Sequence, residues 1–255
     1  AGIHSGDSAC ALPPQTLDKK IINEIILQTK KLAKCLNVIG FINIQFAIQN
    51  KKIFILEVNP RGSRTIPFVA KSTGIPLVKI ASQIMIGKKL TDFQLSDRKL
   101  NHISVKEAVF PFARFPGTDV ILGPEMKSTG EVMGIGLTFG EAFAKSQLGA
   151  SINLPLEGKV FISIKDDDKK NVVPVADNLK NLGFEICATS GTAKFLNENK
   201  IKTQYIKKVI EGRPNAVDAM LSKEIQLVIN TAEGRNSIKD SFSLRQTALL
   251  NKIPY

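Results

Sequence analysis

The 255 residues contain no tryptophan, two tyrosines, two histidines and three cysteines, and each scarcity closes a class of function. Aromatics make up 6%, so the stacking platforms that a single-strand nucleic-acid binder needs are few. Cys10, Cys35 and Cys187 stand at unrelated spacings and provide neither a disulfide framework nor a zinc ligand set; they read as the reduced thiols of a cytoplasmic protein. The only histidines are His4 and His102, which leaves the C-terminal part without an imidazole for acid–base work. Apolar runs such as residues 21–27 and 53–56 are bounded by Lys, Glu or Asn and fall well short of the roughly 20 residues of a membrane span. The opening stretch AGIHSGDSACALPP has neither the basic start nor the apolar run of a secretory signal.

What is present is ordinary for a globular chain: 43% hydrophobic and 23% charged residues, with length for two modest domains or one large one. The formal charge is +12, yet it is spread out, with 19 basic and 11 acidic side chains in residues 1–150 and 16 and 12 in the rest. No dense basic stripe interleaved with aromatics appears. The excess therefore fits a solvated surface, or pockets for small anions, better than a nucleic-acid footprint.

Periodicity divides the chain. After a polar, turn-forming start and Pro13-Pro14, apolar residues at three- and four-residue steps predict a helix over 17–36, with Thr16 as its N-cap. Alternation over 42–48 and a β-rich run over 53–59, joined by a three-residue turn Asn50-Lys51-Lys52, predict a hairpin. Residues 60–76 read as turns, 77–86 as a helix, 103–112 as a strand and 115–136 as a wrapped loop. Gly149, Pro155 and Gly158 mark a junction between a first domain, residues 1–150, and a second, residues 151–255. The second alternates strand and helix regularly: strands over 160–164, 184–188 and 225–229, helices over 172–182, from 192, around 217–221 and over 237–250. This is the signature of a doubly wound, mostly parallel α/β sheet. The fold class is therefore α/β overall, an α+β lobe with an antiparallel sheet followed by the parallel domain.

The hairpin carries chemistry. If Gln49 faces Ile53, Gln45 lies opposite Glu57, and Asn59, two residues on, points to the same face. One Gln, one Glu and one Asn then converge through oxygens, the ligand type hard Mg²⁺ accepts beside nucleotide phosphates. Arg61 and Arg64 follow, with guanidinium forks suited to phosphoryl oxygens. On spacing alone, the same side chains could equally decorate the wet side of a hairpin. In the second domain, Thr189-Ser190-Gly191-Thr192 sits where a helix N-terminus would favour an anion, and Lys169, Lys208 and Asn230 fall near strand ends. Such Ser/Thr/Gly clusters also serve as plain helix caps.

Asn43-Ile44-Gln45-Phe46 followed by Leu56-Glu57-Val58-Asn59-Pro60-Arg61 resembles the metal-binding half of an ATP-grasp domain. The string continues through Arg64-Thr65-Ile66-Pro67-Phe68-Val69, with His4-Ser5-Gly6-Asp7-Ser8 before it. Together with Gly123-Pro124-Glu125-Met126-Lys127-Ser128-Thr129-Gly130-Glu131 after it, the string resembles the carbamoyl phosphate synthetase large-chain family over essentially all 255 residues. The region corresponds to the C-terminal half of the second ATP-grasp unit and an allosteric domain similar to methylglyoxal synthase.

The resemblance implies an ATP-dependent, glutamine-hydrolysing ligase in which this unit phosphorylates carbamate to carbamoyl phosphate for pyrimidine and arginine synthesis. It implies ATP, two Mg²⁺ or Mn²⁺ ions and K⁺ as cofactors. A glutaminase small subunit, nucleotide monophosphate and ornithine effectors, and further copies of the full-length chain would be the partners. By the same resemblance Gln45 and Glu57 hold metal and nucleotide phosphates, Asn59 the second metal, and Arg61 with Arg64 the transferred phosphoryl group. Gly2, Ile3, His4 and Ser5 line the ribose and base. Asp7 and Glu107 hold ornithine, and Ser163, Lys169, Thr189, Thr192, Lys208 and Asn230 bind the nucleotide effector. Ala232 stands where the family often has a threonine. Read alone, His4 is a capping or surface histidine, and Asp7 and Glu107 are solvated acids. Alternative readings are a non-catalytic nucleotide-binding regulatory fragment, or a piece of another ATP-grasp ligase, which would share Glu57, Asn59 and Arg61 but not explain residues 151–255.

The family's upstream lobe, with its glycine-rich loop, does not precede Ala1, and Lys252-Ile253-Pro254-Tyr255 reads as a last strand cut short. The purified chain is expected to give no measurable ATP from carbamoyl phosphate and ADP, a luminescence assay being the check.

Overall fold

The computed structural model describes residues 3–255 except 96–98, 116, 233–238 and 240. Two compact units form, and they do not follow a single cut in sequence: one comprises Ala1–Asp7, Val109–Gly130 and Gln147–Tyr255, the other Ser8–Ala108 and Glu131–Ser146.

In the second of these, β1 (Cys10–Leu12) precedes α1 (Lys19–Cys35). The cap of α1 is Asp18, whose Oδ1 accepts the Ile21 N–H at 2.9 Å; Thr16, the expected cap, lies outside the helix because the carboxylate two residues later reaches the free amide. Strands β2 (Asn43–Gln49) and β3 (Lys52–Asn59) form the expected antiparallel hairpin. Its turn is shorter than expected. Gln49 pairs with Lys52, and Asn50 and Lys51 alone make the turn with φ of 49° and 62°, the doubly left-handed geometry whose twist matches two flanking strands. A bulge then shifts the register between Gln45 and Phe46: Phe46 faces Ile55 but Gln45 faces Glu57, leaving Leu56 as the extra residue.

Residues 65–73, expected to be turns, are helical. α2 (Thr65–Thr73) tolerates Pro67 because a first-turn N–H has no intrahelical acceptor to lose, and Gly74 closes it at φ 68°, a conformation that costs glycine little. α3 (Leu77–Met85) follows as expected. β4 (Ile103–Val109) stops short of residue 112 where Pro111 cannot donate to a ladder. The segment expected to be a wrapped loop ends in β5 (Gly130–Gly136), succeeded by α4 (Phe139–Gly149). Glycine there signals close approach rather than a loop: a Cβ on Gly134 would fall 2.1 Å from the Ala142 carbonyl oxygen. The sheet order is β1-β4-β5, with β1 antiparallel to β4 and Cys10 opposite Lys106. Ser72 Oγ bonds Ser104 Oγ at 2.8 Å, pinning α2 to β4 in the interior.

The remaining unit contains the parallel sheet. β6 (Lys159–Ser163), α5 (Lys169–Asn181), β7 (Glu185–Ala188), α6 (Ser190–Glu198), β8 (Gln204–Tyr205), α7 (Ala216–Leu221), β9 (Leu227–Asn230) and α8 (Phe242–Leu250) follow in chain order. The sheet runs β8-β7-β6-β9, and all its pairs are parallel. Alternation along β6 builds two cores. Val160 and Ile162 pack with Val172, Ala176 and Leu196 from α5 and α6, while Phe161 packs with Ala219, Met220, Leu244 and Ala248 from α7 and α8. The doubly wound expectation is met. Part of the helix expected over 237–250 lies outside the described residues. The final residues are not a strand, although Val228 N–H donates to the Pro254 carbonyl at 2.9 Å.

Cys10, Cys35 and Cys187 are unpaired thiols, and burial pushes that of Cys187 up to about 12. Among the described residues, no helix is long and apolar enough to cross a membrane.

Arg245 of α8 is buried and forks onto Asp119, Nε to Oδ1 at 2.8 Å and Nη2 to Oδ2 at 2.6 Å, with Nη1 on Ser241 Oγ at 2.6 Å. Hydrogen bonding from Arg245 holds the Asp119 carboxyl below its usual value. Asp119→Ala strips a buried cation of its carboxylate and should cost about 3 kcal/mol in urea unfolding. Because the folded-state value is the lower one, the wild-type advantage should be full above the ordinary carboxylate range and shrink as pH falls through it.

Candidate functional site

Three groups of expected site residues can be placed. The first lies on the β2–β3 hairpin. Asn43 faces Asn59 and Gln45 faces Glu57, and period-two alternation puts all four on one side of the ribbon. The expectation of Gln45 opposite Glu57 holds, although the turn assumed for it does not: the two-residue turn shifts the register by one and the bulge at Leu56 restores it. Asn59 Nδ2 donates to Glu57 Oε1, so carboxylate and amide are already in contact. Sequence reasoning passed over Asn43, which the hairpin pairing would have found.

This donor set tests whether a divalent cation fits. The Gln45, Glu57 and Asn59 oxygens are hard ligands of the kind Mg²⁺ or Mn²⁺ accepts, with a single carboxylate among them. Among the described residues no group of three or more His, Cys, Asp and Glu could hold a metal. The hairpin set thus fits a cation that shares its shell with an anionic ligand, and fits poorly a site that neutralises the ion by itself.

Arg61 and Arg64 follow where β3 gives way to α2. Arg61 N–H donates to the Asn59 carbonyl at 2.8 Å and its Nη1 to the Gly62 carbonyl at 2.9 Å, a tight turn at the strand end. Arg64 occupies the N-cap position of α2, and its Nε stands 3.8 Å from Glu131 Oε1 on β5. The same oxygen accepts from Lys106 Nζ at 3.1 Å. Glu131 and Lys106 were missed, because neither resembles a ligand in sequence and only the β4–β5 pairing brings them together.

The second group lies at the carboxyl ends of the parallel strands. Ser163, Lys169, Thr189, Thr192, Lys208 and Asn230, gathered from six places in the chain, all line one cavity of ≈ 420 Å³. Thr189 caps α6 in an extended conformation and its side chain makes no cap bond to the first-turn amides. Lys169 Nζ stands nearby, 3.4 Å from where a Cβ on Gly191 would be. An exposed ion pair also holds that amine, to Asp166 Oδ1 at 2.6 Å, and this bond keeps the Asp166 carboxyl below its usual value. Thr192 plays a different part from a free donor: it is buried, and its Oγ1 accepts the Ile164 N–H at 3.2 Å, fixing the end of β6. Asn230 Nδ2 donates to the Tyr255 hydroxyl at 2.7 Å; Gly191 of the expected anion-favouring stretch also lines the cavity, and Lys165, Asp166, Thr231 and Ser241 join it without having been foreseen. The Asp-Asp-Asp run before Lys169 was the available signal. Positive charge, hydroxyls and uncapped amides together suit a phosphate monoester.

The third group is at the start of the chain. His4 N–H donates to the Gly123 carbonyl at 2.9 Å, and its Nδ1 accepts the Gly6 N–H at 2.9 Å, a local capping arrangement. Ile3 and Ser5 are exposed, and Gly2 lies outside the described residues. Asp7 is 3% exposed, and its two oxygens accept the Lys127 and Ser128 N–H groups at 2.9 and 2.8 Å. Burial pushes this carboxyl up, but the bonds from Lys127 and Ser128 outweigh it and leave it below the ordinary value. Asp7 is thus a clamp joining residue 7 to the 127–128 segment rather than the solvated acid that its sequence context also allowed. Glu107 on β4 is half-buried and accepts the Ala108 N–H at 3.3 Å.

Residues 1–93 match the family described as carbamoyl-phosphate synthase L chain, ATP binding domain, and residues 171–255 match the MGS-like domain. The carbamoyl phosphate synthase large chain of Mesorhizobium japonicum is 52% identical over 261 residues, taking in 100% of this chain and 22% of that one. Its counterpart from Pseudomonas putida is 55% identical over 254 residues, 99% of this chain and 24% of that one. The large chain of Myxococcus xanthus is 53% identical over 256 residues, again 100% and 24%. The chain thus spans about a quarter of the length of these relatives. A solved methylglyoxal synthase from Elizabethkingia anophelis aligns with 33% of this chain and 58% of its own at 16% identity, with a TM-score of 0.28.

The Asp7 clamp is open to measurement. In Asp7→Asn the Lys127 and Ser128 amides should exchange with solvent at least about tenfold faster, since a neutral acceptor replaces a charged one. Wild type should lose the same protection as pH drops below the carboxylate range, the depressed value meaning that the clamp is intact above it.

Proposed function

We propose, from the premise that this chain belongs to the carbamoyl phosphate synthase large-chain family, that it carries part of the carbamate-phosphorylating site of that enzyme and the nucleotide-effector module that regulates it. Residues 1–150 contribute the catalytic lobe and residues 151–255 the regulatory domain. The observation that carries the reading is the convergence, in one α/β cavity, of six residues scattered over 68 positions of sequence; separately, the hairpin offers oxygen ligands and two arginines that suit a nucleoside triphosphate.

Gln45 and Glu57 would hold the divalent cation and, with it, the nucleotide phosphates, and Asn59 would hold a second ion. When bound, Mg²⁺ or Mn²⁺ would supply neutralisation of the phosphate charge. A carbamate oxygen attacks the γ-phosphorus of ATP, the new P–O bond forms as the bond to ADP breaks, and the products are carbamoyl phosphate and ADP. Arg61 and Arg64 face the transferring group with fixed, planar donors that match its oxygens. The family resemblance assigns Gly2, Ile3, His4 and Ser5 to the nucleoside. His4 Nδ1 is already occupied as an acceptor, which supports binding rather than proton transfer. In the full-length enzyme a glutaminase subunit supplies ammonia; the role in holding ornithine expected of Asp7 is not supported, since both of its oxygens are taken by the Lys127 and Ser128 amides.

In the regulatory cavity a nucleoside monophosphate puts its phosphate on the amides of α6 and on Lys169 and Lys208. Ser163, Thr189 and Asn230 fix the remainder, and Thr192 holds the strand end from which they project. An incoming phosphate competes with Asp166 for the Lys169 amine, so the exposed ion pair sets the affinity.

Calorimetry on the chain with UMP, IMP and ATP·Mg²⁺ tests this. A 1:1 complex with a monophosphate is expected, weakened about tenfold or more in Lys169→Ala or Lys208→Ala, because each removes a charge-assisted bond. Asp166→Asn should tighten it several-fold. Monophosphate binding that neither lysine variant alters would overturn the assignment of the cavity.

A further inference from the structure

Lys106 is 3% exposed on β4, in the interior of its unit, where an ammonium is stable only beside an anion. Glu131 on β5 supplies one, its Oε1 accepting from Lys106 Nζ at 3.1 Å. The partnership leaves Glu131 with little freedom, since its side chain is 17% exposed and moving it would strand a buried cation. That fixed oxygen also lies 3.8 Å from Nε of Arg64, whose own side chain is 42% exposed. A buried cation thus holds a carboxylate in place, and the carboxylate meets the inner edge of a partly exposed guanidinium.

The backbone beneath Arg64 is held by the same strand. Arg64 is the N-cap of α2, and α2 is pinned to β4 by the buried Ser72–Ser104 bond at 2.8 Å. Ser104 and Lys106 are two apart on β4 and so share a face, which supports α2 through Ser72 and Glu131 through the lysine. Nε, the inner donor, is the one nearest the carboxylate. An arginine whose inner edge faces a fixed carboxylate loses torsional freedom while its planar fork keeps its geometry.

We infer that Glu131, braced by Lys106, is a positioning residue for Arg64: it aims the guanidinium at the phosphoryl group during transfer, without itself touching substrate. This inference rests on the proposed role of Arg64. It assigns to a buried Lys–Glu pair, which a stability argument would treat as packing, a share of the transition-state geometry. Positional errors of about an ångström at a transferring group cost up to about a hundredfold in rate. The pair should therefore show in kcat more than in nucleotide binding.

The test uses the full-length chain and reads ATP formation from carbamoyl phosphate and ADP. Glu131→Gln keeps an oxygen for Lys106 but removes the charge that draws Arg64. It should lower kcat about tenfold to a hundredfold and leave KM for ADP within about twofold, while lowering Tm to the extent that the Lys106 ammonium misses its anion. Arg64→Ala alone should lower kcat strongly, and the Arg64→Ala/Glu131→Gln double variant should be no slower than Arg64→Ala. Glu131→Asp, which retains the charge at shorter reach, should recover part of the loss. Should Glu131→Gln lower Tm substantially, Lys106→Met serves instead: it removes the buried cation, leaves Glu131 beside Arg64, and should give a smaller kcat loss with the same unchanged KM. If Arg64→Ala is slow but Glu131→Gln is not, or if the two losses multiply in the double variant, the positioning role is overturned. If Arg64→Ala leaves the rate intact, what fails is the phosphoryl-contact role of Arg64 itself, and the positioning role falls with it.

Discussion

A parallel sheet has to be buried on both faces, and in the regulatory part of this chain β6 is the strand on which that requirement falls. Val160 and Ile162 look one way into α5 and α6, Phe161 the other way into α7 and α8, and none of the three is more than 2% exposed. With helices on both faces, every crossover returns to the same end of the sheet, so the chain leaves β6, β7 and β9 at one edge. Ser163, Thr189 and Asn230 are where they are because those strands end there. Chemistry at that edge follows from burial: hydroxyls and amides cluster where the apolar strands stop, and lysines from α5 and the segment after β8 supply the charge.

The hairpin unit obeys a different constraint. A two-stranded ribbon has one wet face, and alternation sends Asn43, Gln45, Glu57 and Asn59 to it together. The left-handed Asn50–Lys51 turn and the bulge at Leu56 are coupled: each shifts the register by one residue, in opposite senses, and only both together put Gln45 against Glu57. The functional face thus depends on a compensated irregularity, and an unbulged hairpin with this turn would set Gln45 against Leu56 instead. The three-stranded sheet contributes buried charge, Lys106 of β4 and Glu131 of β5 meeting near Arg64 at the start of α2.

Much of this was legible from residues. The 3.6-residue rhythm of 17–36, the alternation of 42–48 and the strand–helix alternation after 158 specified their elements, because each buries one face and the period of its apolar residues says which. Six pocket residues could be named in advance from a family resemblance. Other features went unread for physical reasons. α2 was hidden by Pro67, harmless in a first turn. β5 and α4 were hidden by Gly134 and Gly136, whose missing side chains permit a close helix–strand approach but look like loop residues in sequence. A usable signal did exist for α4: Thr138 and Glu141 form a capping pair, Glu141 N–H donating to Thr138 Oγ1 at 3.2 Å while the Glu141 carboxylate accepts the Leu137 N–H at 2.9 Å.

By itself the sequence determined the classes of element, the doubly wound α/β character of the C-terminal part and the identity of the oxygen and guanidinium groups available to a phosphate, since these depend on local periodicity and side-chain chemistry. Tertiary structure decided which groups are free to act. Asp7, Thr192 and His4 read as possible ligands, yet the Asp7 oxygens accept two backbone amides, Thr192 Oγ1 that of Ile164 and His4 Nδ1 that of Gly6; Lys106 and Glu131 went unread, yet strand pairing sets one against the other. The reason is the same in both directions: a polar atom withdrawn from water must be satisfied by whatever the fold brings beside it, and that neighbour is set by contacts distant in sequence, Asp7 with Lys127 and Lys106 with Glu131 among them.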